Sequence, residues 1–311
     1  MIHTLNDESL KQAVDRLRAG ELIGLPTETV YGLAADASNT AAVEKIFTLK
    51  QRPKNQALIV HVSHNTPLSH FARDIPEFAK TLIEQCWPGP LSLILHKRPE
   101  VNDWVTGGHD TIALRCPKHP VAQAVLNTFG GGLAAPSANR HCHLSPTTAE
   151  DVFDEFGDEL ALILDGGACD VGIESTILDL THTTPTIVRP GFYTAQDLES
   201  IINTRVVYAS SDQANAPGNL AKHYAPETPT FLCETENLPH SPHIGVLSFK
   251  PASHEHWICI DKNPEAMAHA LYHSLRELDH AKLESIVIET PPQDEAWRAI
   301  WDRLKRLCSQ L

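Results

Sequence analysis

The sequence is short of positive charge and has no long apolar run. It carries 25 Lys and Arg against 39 Asp and Glu, a formal net charge of −14 over 311 residues. This balance argues against a protein whose main task is to neutralise a nucleic-acid backbone over a wide surface. No stretch approaches the ~20 apolar residues of a membrane-spanning helix, and the polar N-terminal segment lacks an apolar signal core. We therefore expect a soluble, cytoplasmic protein.

Several familiar patterns are also missing. The seven cysteines are odd in number and never form C-x-x-C, so neither a disulfide framework nor a zinc ribbon is predicted. There is no Walker loop, G-x-G-x-x-G, G-x-S-x-G or H-E-x-x-H. Of the eighteen histidines, His141-Cys142-His143 is the best candidate for a metal site. These adjacent ligands have no distant second pair, so we interpret them as surface residues and predict no metal held by protein side chains.

Apolar runs alternate with amphipathic segments along the whole chain, which predicts an α/β fold with a twisted mixed sheet. Helices are expected at 75–86, 119–129 and 194–203, and strands at 91–95 and 111–115, whereas the segment PTETVYGLAAD (26–36) is expected as a loop. Residues 206–226 have little periodicity and are rich in Ser, Ala, Asn and Pro. We predict a domain at 1–205, a linker at 206–226 and a small three-layer αβα domain at 227–311.

Polar residues at the ends of predicted strands are the candidates for chemistry. Lys50, Arg52 and Lys54 could meet the roughly four negative charges of a nucleoside triphosphate, or could be a solvated helix end. Arg115 and Arg189 each end an apolar strand, where an anion or an internal salt bridge explains them equally well.

Two further groups of residues have both a functional and an ordinary interpretation. Ser137 and Asn139 lie in a Pro-Ser-Ala-Asn turn that could cradle phosphate or ribose, or be an ordinary turn. Trp297 and Trp301, four apart on a predicted helix, are better explained as core than as a base-stacking platform.

The order of ten segments resembles the threonylcarbamoyl-AMP synthases of the YrdC-domain type, in their long two-domain form. The segments are PTETVYGLAADA, K-x-R-P, LIVHV, WPGPLSLIL, TIALRCP, APSAN, SPTTAEDV, GGACDVGIESTI, IVRPG and PGNLAKHYAP. The resemblance implies a YrdC-like twisted sheet with helices around a concave ligand cavity. It also implies the reaction of L-threonine, bicarbonate or CO₂ and ATP to L-threonylcarbamoyl-AMP and pyrophosphate, the first step of threonylcarbamoyladenosine formation in tRNA.

The resemblance also implies roles for individual residues. Threonine would be bound by Thr29, His61, Arg115, Ala135 and Ser175. ATP, with Mg²⁺ bridging its phosphates, would be bound by Lys50, Arg52, Gln56, Thr111, Ser137, Asn139, Ser145, Arg189 and Asn219. His223 and Tyr224 in the linker would close over the site. A downstream tRNA threonylcarbamoyl transferase complex would use the product, with direct tRNA binding here weak or absent.

Two departures from the family pattern affect the nucleotide loops. Gln56-Ala57 stands where the family has Asn-Pro, and Arg140-His141-Cys142 stands where it reads like Leu-Ser-Gly, so a flexible glycine is lost. Two rival functions stay open. One is carbamoyl phosphate activation, as in the hydrogenase-maturation proteins that share this kind of domain, and the other is a non-catalytic RNA-binding module.

Overall fold

Two β-sheets organise residues 1–210 and 225–308, the part of the chain that this computed structural model describes. The strands of the first sheet are β1 (Ile2–Thr4), β2 (Ile23–Leu25), β3 (Gly32–Asp36), β4 (Ile59–His61), β5 (Ala72–Arg73), β6 (Leu91–Lys97), β7 (Thr111–Arg115), β8 (Leu133–Ala134), β9 (Ile163–Asp165), β10 (Thr176–Asp179), β11 (Thr186–Arg189) and β12 (Val207–Tyr208). Its helices are α1 (Asp7–Arg18), α2 (Thr40–Lys50), α3 (Glu77–Cys86), α4 (Asp103–Thr106), α5 (Pro120–Phe129), α6 (Ala149–Phe156) and α7 (Ala195–Ile202).

The first sheet is mixed, as predicted, with the strand order β1-β9-β2-β3-β8-β4-β7-β6-β10-β11-β12 and β5 beside β6. Strands β4 and β7 are parallel and lie near its centre. The segment expected as a loop over 26–36 contains strand β3, so that expectation is wrong for its second half. Leu33 and Ala35 are buried on one face of β3, and Ala34 is buried on the other. A strand buried on both faces has no alternation of apolar and polar residues in its sequence.

Helices pack on both faces of the first sheet. Helices α2, α3, α6 and α7 share the larger apolar cluster, whereas α1 and α5 pack on the opposite face with Leu25 and Leu133. Helix α1 begins at the cap Asn6, whose side chain accepts a hydrogen bond from the Ser9 amide at 2.9 Å. Beyond α1 and α5 this second face carries the small cluster of Ile59, Ala113, Ile177 and Val188.

The second sheet contains four parallel strands in the order β13-β16-β14-β15. Its elements are β13 (Thr230–Cys233), β14 (Ile244–Ser248), β15 (Trp257–Cys259), α8 (Pro264–His280), β16 (Ser285–Glu289) and α9 (Arg298–Leu307). Trp297 is 4% exposed and belongs to the core, with Trp301 packed against it.

The two helices of this unit share one apolar cluster with Leu247, Ile286 and Ile288, so both lie on the same side of the small sheet. The other side, with Val246 and Val287, packs against Leu238 from a connecting segment. Among the described connections between strands of this sheet, only the one from β15 to β16 contains an α-helix, and the β13–β14 connection has one short 3-10 turn at Thr235–Asn237. The expected layer of helices on the side opposite α8 and α9 is therefore a layer of connecting segments.

Strand β12 extends the first sheet beyond the predicted domain end at residue 205, since Val207 and Tyr208 pair with Thr186 and Ile187 of β11. The division into 1–205, 206–226 and 227–311 otherwise stays a prediction. Within the described ranges, no helix combines the length and the apolar character needed to cross a membrane.

Candidate active site

A cavity lined by both polar and apolar residues opens on the sheet face that α1 and α5 leave uncovered. Because side chains of a strand alternate between faces, Ile59 and His61 of β4 share this face with Ala113 and Arg115 of β7. The space, including its open mouth, measures about 490 Å³. It is lined by Thr29, Val30, Arg52, Ala57, Leu58, Ile59, His61, Arg115, Ala135, Pro136, Ser137, Glu174 and Arg189.

Arg115 lies at one end of the cavity, and three neighbours fix its guanidinium in place. It donates to the Thr29 hydroxyl at 2.8 Å and to the Gly89 carbonyl at 3.3 Å, and it forms an ion pair with Glu28 at 2.8 Å. The other carboxylate oxygen of Glu28 accepts from the Lys118 amide at 2.9 Å. The salt-bridge explanation of Arg115 is therefore correct, and because the side chain also lines the cavity, anion binding there stays a prediction.

His61 lies next to Arg115 across the β4–β7 pair and is 3% exposed. Within residues 1–210 and 225–308, neither of its ring nitrogens has a hydrogen-bond partner. Burial, and to a smaller extent the charge of Arg115, lower its pKa well below the usual range, so the imidazole is neutral. A buried ring with both nitrogens open is suited to a polar ligand.

Lys50 is the last residue of α2 and is only 1% exposed, so it does not belong to a solvated helix end. Its ammonium donates to the Ser137 carbonyl at 2.6 Å and to the Asn139 carbonyl. Burial and the nearby Arg52 charge lower the pKa of Lys50 well below its usual range. Lys50 therefore supports the Ser137–Asn139 turn from behind, while Ser137 itself lines the cavity.

The three cations after α2 differ in their surroundings. Arg52 is 7% exposed, lines the cavity and donates to the Ala57 carbonyl at 3.1 Å. Lys54 is exposed, pairs with Glu44 and lies 4.7 Å from the ring centroid of Trp104. The phosphate-binding interpretation therefore fits Arg52, and the solvated interpretation fits Lys54.

Thr111 and Gln56 do not line the cavity but lie near its Arg52 end. The parallel register pairs His61 with Arg115 and Ile59 with Ala113. Extending it two residues back places Thr111 beside Ala57, at the opposite end of β7 from Arg115. Four residues of strand span roughly 13 Å. Arg115 and Arg52 therefore lie at opposite ends of the cavity, separated by about that length of strand.

Arg189 and Ser175 meet at the start of β10. The Arg189 guanidinium donates to the Ser175 carbonyl at 3.0 and 3.1 Å and to its hydroxyl at 3.1 Å. The Ser175 and Ser92 hydroxyl oxygens are 2.8 Å apart. Arg189 lines the cavity and Ser175 lies directly behind it.

Glu174 is a buried carboxylate in the cavity wall. It accepts from the Ser145 hydroxyl at 2.6 Å, from Arg303 of helix α9 at 2.8 Å and from Tyr272 of helix α8 at 3.1 Å. Burial alone would raise the pKa of Glu174, but the charges of Arg303 and Arg189 outweigh it and lower the pKa to about 2. Glu174 is therefore ionised, and two of its partners come from the C-terminal unit.

The predicted residues fall into three groups. Those that line the cavity are Thr29, Arg52, His61, Arg115, Ala135, Ser137 and Arg189. Those that adjoin it through a bonded neighbour, a hydrogen bond or strand register are Lys50, Gln56, Thr111, Asn139, Ser145 and Ser175. Asn219, His223 and Tyr224 lie outside the described residues. The amide oxygen of Asn139 has no partner among the residues described.

Sequence reasoning missed Glu28, Glu174 and Arg303. The two glutamates lie inside quoted segments, PTETVYGL and GGACDVGIESTI, and each is an acidic residue beside a buried strand end. Arg303 lies on the apolar side of α9 with Ile300, Leu304 and Leu307. The sequence signal that could have identified Arg303 was a charged residue on the apolar side of an amphipathic helix.

The segment that departs from the family pattern adopts the geometry of the missing glycine. Cys142 has a φ of 72°, the left-handed region that favours Gly. His143 is half-exposed and contacts Glu155 at 2.8 Å. In the part of the chain that the structure describes, no group of three or more His, Cys, Asp or Glu could hold a metal ion.

Comparison with known proteins accounts for both units. A family model described as "Telomere recombination" (Sua5, YciO and YrdC) matches residues 15–191, and one described as "Threonylcarbamoyl-AMP synthase, C-terminal domain" matches 193–309. The threonylcarbamoyl-AMP synthase of Bacillus subtilis is 37% identical over 97% of this chain and 93% of its own length. The chain belongs to the threonylcarbamoyl-AMP synthase family. It is accordingly an enzyme, with both family domains.

Solved structures agree with this assignment. The crystal structure of Sua5 from Pyrococcus abyssi complexed with L-threonine superposes with a TM-score of 0.89 at 31% identity, covering 99% of this chain and 98% of that one. YciO of Escherichia coli gives a TM-score of 0.56 at 25% identity and covers 64% of this chain and 97% of that one. The mixed α/β sheet, the two-domain architecture and the family predicted from sequence are confirmed.

Proposed function

We propose that this chain synthesises L-threonylcarbamoyl-AMP from L-threonine, bicarbonate or CO₂ and ATP, with release of pyrophosphate. The observation that supports it most directly is the cavity with Arg115 at one end and Arg52 at the other. Each end suits an anionic group, because an arginine fork can bind a carboxylate or a phosphate through two parallel hydrogen bonds. The family resemblance assigns the carboxylate to the Arg115 end and the polyphosphate to the Arg52 end. The B. subtilis and P. abyssi relatives are named threonylcarbamoyl-AMP synthases.

In this proposal threonine occupies the Arg115 end. Arg115 binds the amino-acid carboxylate, and its contacts with Glu28 and Thr29 keep the guanidinium in place before the ligand arrives. Neutral His61 offers either a donor or an acceptor to the threonine amine or hydroxyl. Ala135 and Ser175 complete this end, with Ala135 limiting the room for the side chain.

ATP occupies the Arg52 end. Arg52 and Arg189 meet phosphate oxygens, while Ser137, Ser145, Gln56, Thr111 and Asn139 provide hydroxyl and amide groups near them. Lys50 supports the Ser137–Asn139 turn through two carbonyls, and bound phosphate would favour its charged form. Mg²⁺ enters as the ATP complex and supplies neutralising charge to the phosphate oxygens. Asn219, His223 and Tyr224 belong to this proposal by family resemblance alone.

The chemistry needs position and charge more than a strong base. The threonine amine adds to CO₂ and loses a proton to give a carbamate, and a carbamate oxygen then attacks the α-phosphorus while pyrophosphate leaves. Holding both reactants in one cavity replaces an encounter in solution. The guanidinium groups of Arg52 and Arg189 stabilise the negative charge that develops on the phosphate oxygens.

The product would pass to a tRNA threonylcarbamoyl transferase complex, which attaches the threonylcarbamoyl group to an adenosine. Direct tRNA binding by this chain is not part of the proposal. The net charge of −14 is unfavourable for gripping a nucleic-acid backbone.

The test is product formation with each substrate omitted in turn. We expect pyrophosphate release to need both threonine and bicarbonate, because the attacking oxygen does not exist before the carbamate forms. Serine should be a poorer substrate because it lacks the methyl group. Valine should be poorer because it leaves a buried hydroxyl partner unpaired, at a cost of about 1–3 kcal/mol. Equal pyrophosphate release without threonine would contradict the proposal.

The same assay separates the rival functions. A carbamoyl-transfer enzyme would consume carbamoyl phosphate without threonine. An RNA-binding module would show salt-sensitive RNA binding and no turnover.

A further inference from the structure

The C-terminal unit touches the first domain next to its predicted site residues. Its apolar cluster, built mainly on α8 and α9, includes three residues of the first domain: Val30, Leu144 and Ile173. Val30 follows Thr29, Leu144 precedes Ser145, and Ile173 lies two residues before Ser175. Three loops that carry site residues are therefore anchored on the helices of the other unit.

The α9 side chain Arg303 is buried within this contact. The Arg303 guanidinium is fully buried and donates to the Glu174 carboxylate at 2.8 Å, to the Glu174 carbonyl at 3.3 Å and to the Pro190 carbonyl at 2.9 Å. Glu174 precedes Ser175, and Pro190 follows Arg189. A single guanidinium thus joins the start of β10 to the end of β11, beside two residues of the cavity.

The Glu174 carboxylate connects Arg303 to two residues that we assign to the nucleotide end of the cavity. It accepts the Ser145 hydroxyl at 2.6 Å, and its charge faces that of Arg189. Without Arg303 the carboxylate would be buried with one less cation, so it would either take up a proton or draw Arg189 closer. Either change moves a group that we assign to ATP.

We propose that Arg303 is a positioning residue of the active site, and that through Glu174 and Pro190 it holds Ser145 and Arg189 where the nucleotide binds. This inference rests on the proposed function and deepens it, because it gives the C-terminal unit a task in the reaction. At the threonine end, Ser175 directly follows Glu174, but Arg115 is held by Glu28, Thr29 and Gly89, so threonine binding should depend on Arg303 less than ATP binding does.

The first experiment compares Arg303→Gln with Lys305→Gln in the full chain. Lys305 is exposed on the same helix and carries the same charge. We expect Arg303→Gln to raise the dissociation constant of a non-hydrolysable ATP analogue about tenfold and that of L-threonine less than about threefold. Arg303→Lys should recover part of the loss, since an ammonium can reach Glu174 but lacks the fork for the two carbonyls. Lys305→Gln should match the wild type.

A double-mutant cycle with Glu174→Gln separates positioning from general packing. If Arg303 acts through Glu174, Arg303→Gln will cost less nucleotide affinity in the Glu174→Gln background than in the wild type. Additive losses would overturn the inference. So would equal losses for threonine and ATP that follow the fraction of folded protein.

Hydrogen exchange keeps this test independent of the proposed function. The backbone amides of 173–176, and those of Val188, Arg189 and Gly191 on either side of Pro190, should exchange faster in Arg303→Gln than in Lys305→Gln. If the wild type made no threonylcarbamoyl-AMP, the proposed function would fail, and exchange would still decide whether Arg303 holds these segments. Unchanged exchange, with or without activity, would overturn the positioning role.

Discussion

The Glu28 carboxylate lies 2.8 Å from the Arg115 guanidinium, with both side chains only 5% exposed. The pair fixes the arginine before any ligand is present, because Thr29 and Gly89 take up two further donors. Removing one partner of such a buried pair leaves the other charge uncompensated. Stability and ligand binding at Arg115 must therefore be measured separately.

We predict that Arg115→Ala abolishes measurable threonine binding and also destabilises the fold by about 3–5 kcal/mol, because Glu28 is left buried and charged. The double variant Arg115→Ala/Glu28→Gln should regain part of that stability, since the buried charge is gone. Threonine binding should stay lost in it. Calorimetric titration and denaturant unfolding of both variants check this. Threonine binding that returned together with stability would show that Arg115 has only a structural role.

Arg52 provides the complementary prediction for ATP. Arg52→Ala should weaken binding of an ATP analogue about tenfold or more, with threonine affinity little changed, because a charged hydrogen-bond donor to phosphate is lost. Arg52→Lys should restore part of it. Lys54→Ala is the matched control, as Lys54 contacts Glu44 and Trp104 instead of the cavity. Equal losses at positions 52 and 54 would mean that net charge, and not a specific phosphate contact, controls nucleotide affinity.

Strand and helix patterns predicted much of the first sheet. The strand over Thr111–Arg115 and the helix ending at Phe129 match the expected ranges closely, because each has a clear period and defined ends. Strand β3 was missed, since its buried Gly-Leu-Ala-Ala run has neither an alternation of apolar and polar residues nor any β-branched residue. Strand β12 was missed because it has two residues only.

The site was predictable as a set of strand ends but not as a network. Sequence order identified Arg115 and Arg189, which end their strands as expected. It could not pair Arg115 with Glu28 or Glu174 with Arg303, which is 129 residues away. The first pair depends on how distant segments of one domain come together, and the second depends on how two domains pack. For the second pair, the sequence held no signal beyond one charge on an apolar helix face.

Cys142 provides a prediction about backbone strain. Its φ of 72° is costly for a residue with a Cβ, so Cys142→Gly should stabilise the fold by about 0.5–1 kcal/mol. Cys142→Ala is the matched control, because it removes the sulfur and keeps the Cβ. Denaturant unfolding should rank Gly above both Cys and Ala. If Ala stabilised as much as Gly, the sulfur and not the backbone would be the source of the effect.

The last prediction concerns pH and His61. Burial, with a smaller contribution from Arg115, lowers the pKa of His61 below that of the unfolded chain, so the folded state resists protonation of this ring. Its contribution to stability is complete above the unfolded pKa of about 6.5 and is lost as pH falls through that value towards the folded pKa. In this window the unfolded chain binds the extra proton, so the free energy of unfolding falls with falling pH.

We therefore expect His61→Asn to lose less stability than the wild type between about pH 7.5 and about pH 5.5. The measurement is denaturant unfolding of both proteins at the two pH values. His64→Asn, at an exposed position three residues further along the chain, is the control, and its pH dependence should match the wild type. The comparison isolates one ring, since the other seventeen histidines are unchanged in each variant. An identical loss in the wild type and in His61→Asn would mean that His61 accepts its proton as readily in the folded protein as in the unfolded chain. The neutral imidazole assigned to the threonine end of the cavity would then be wrong.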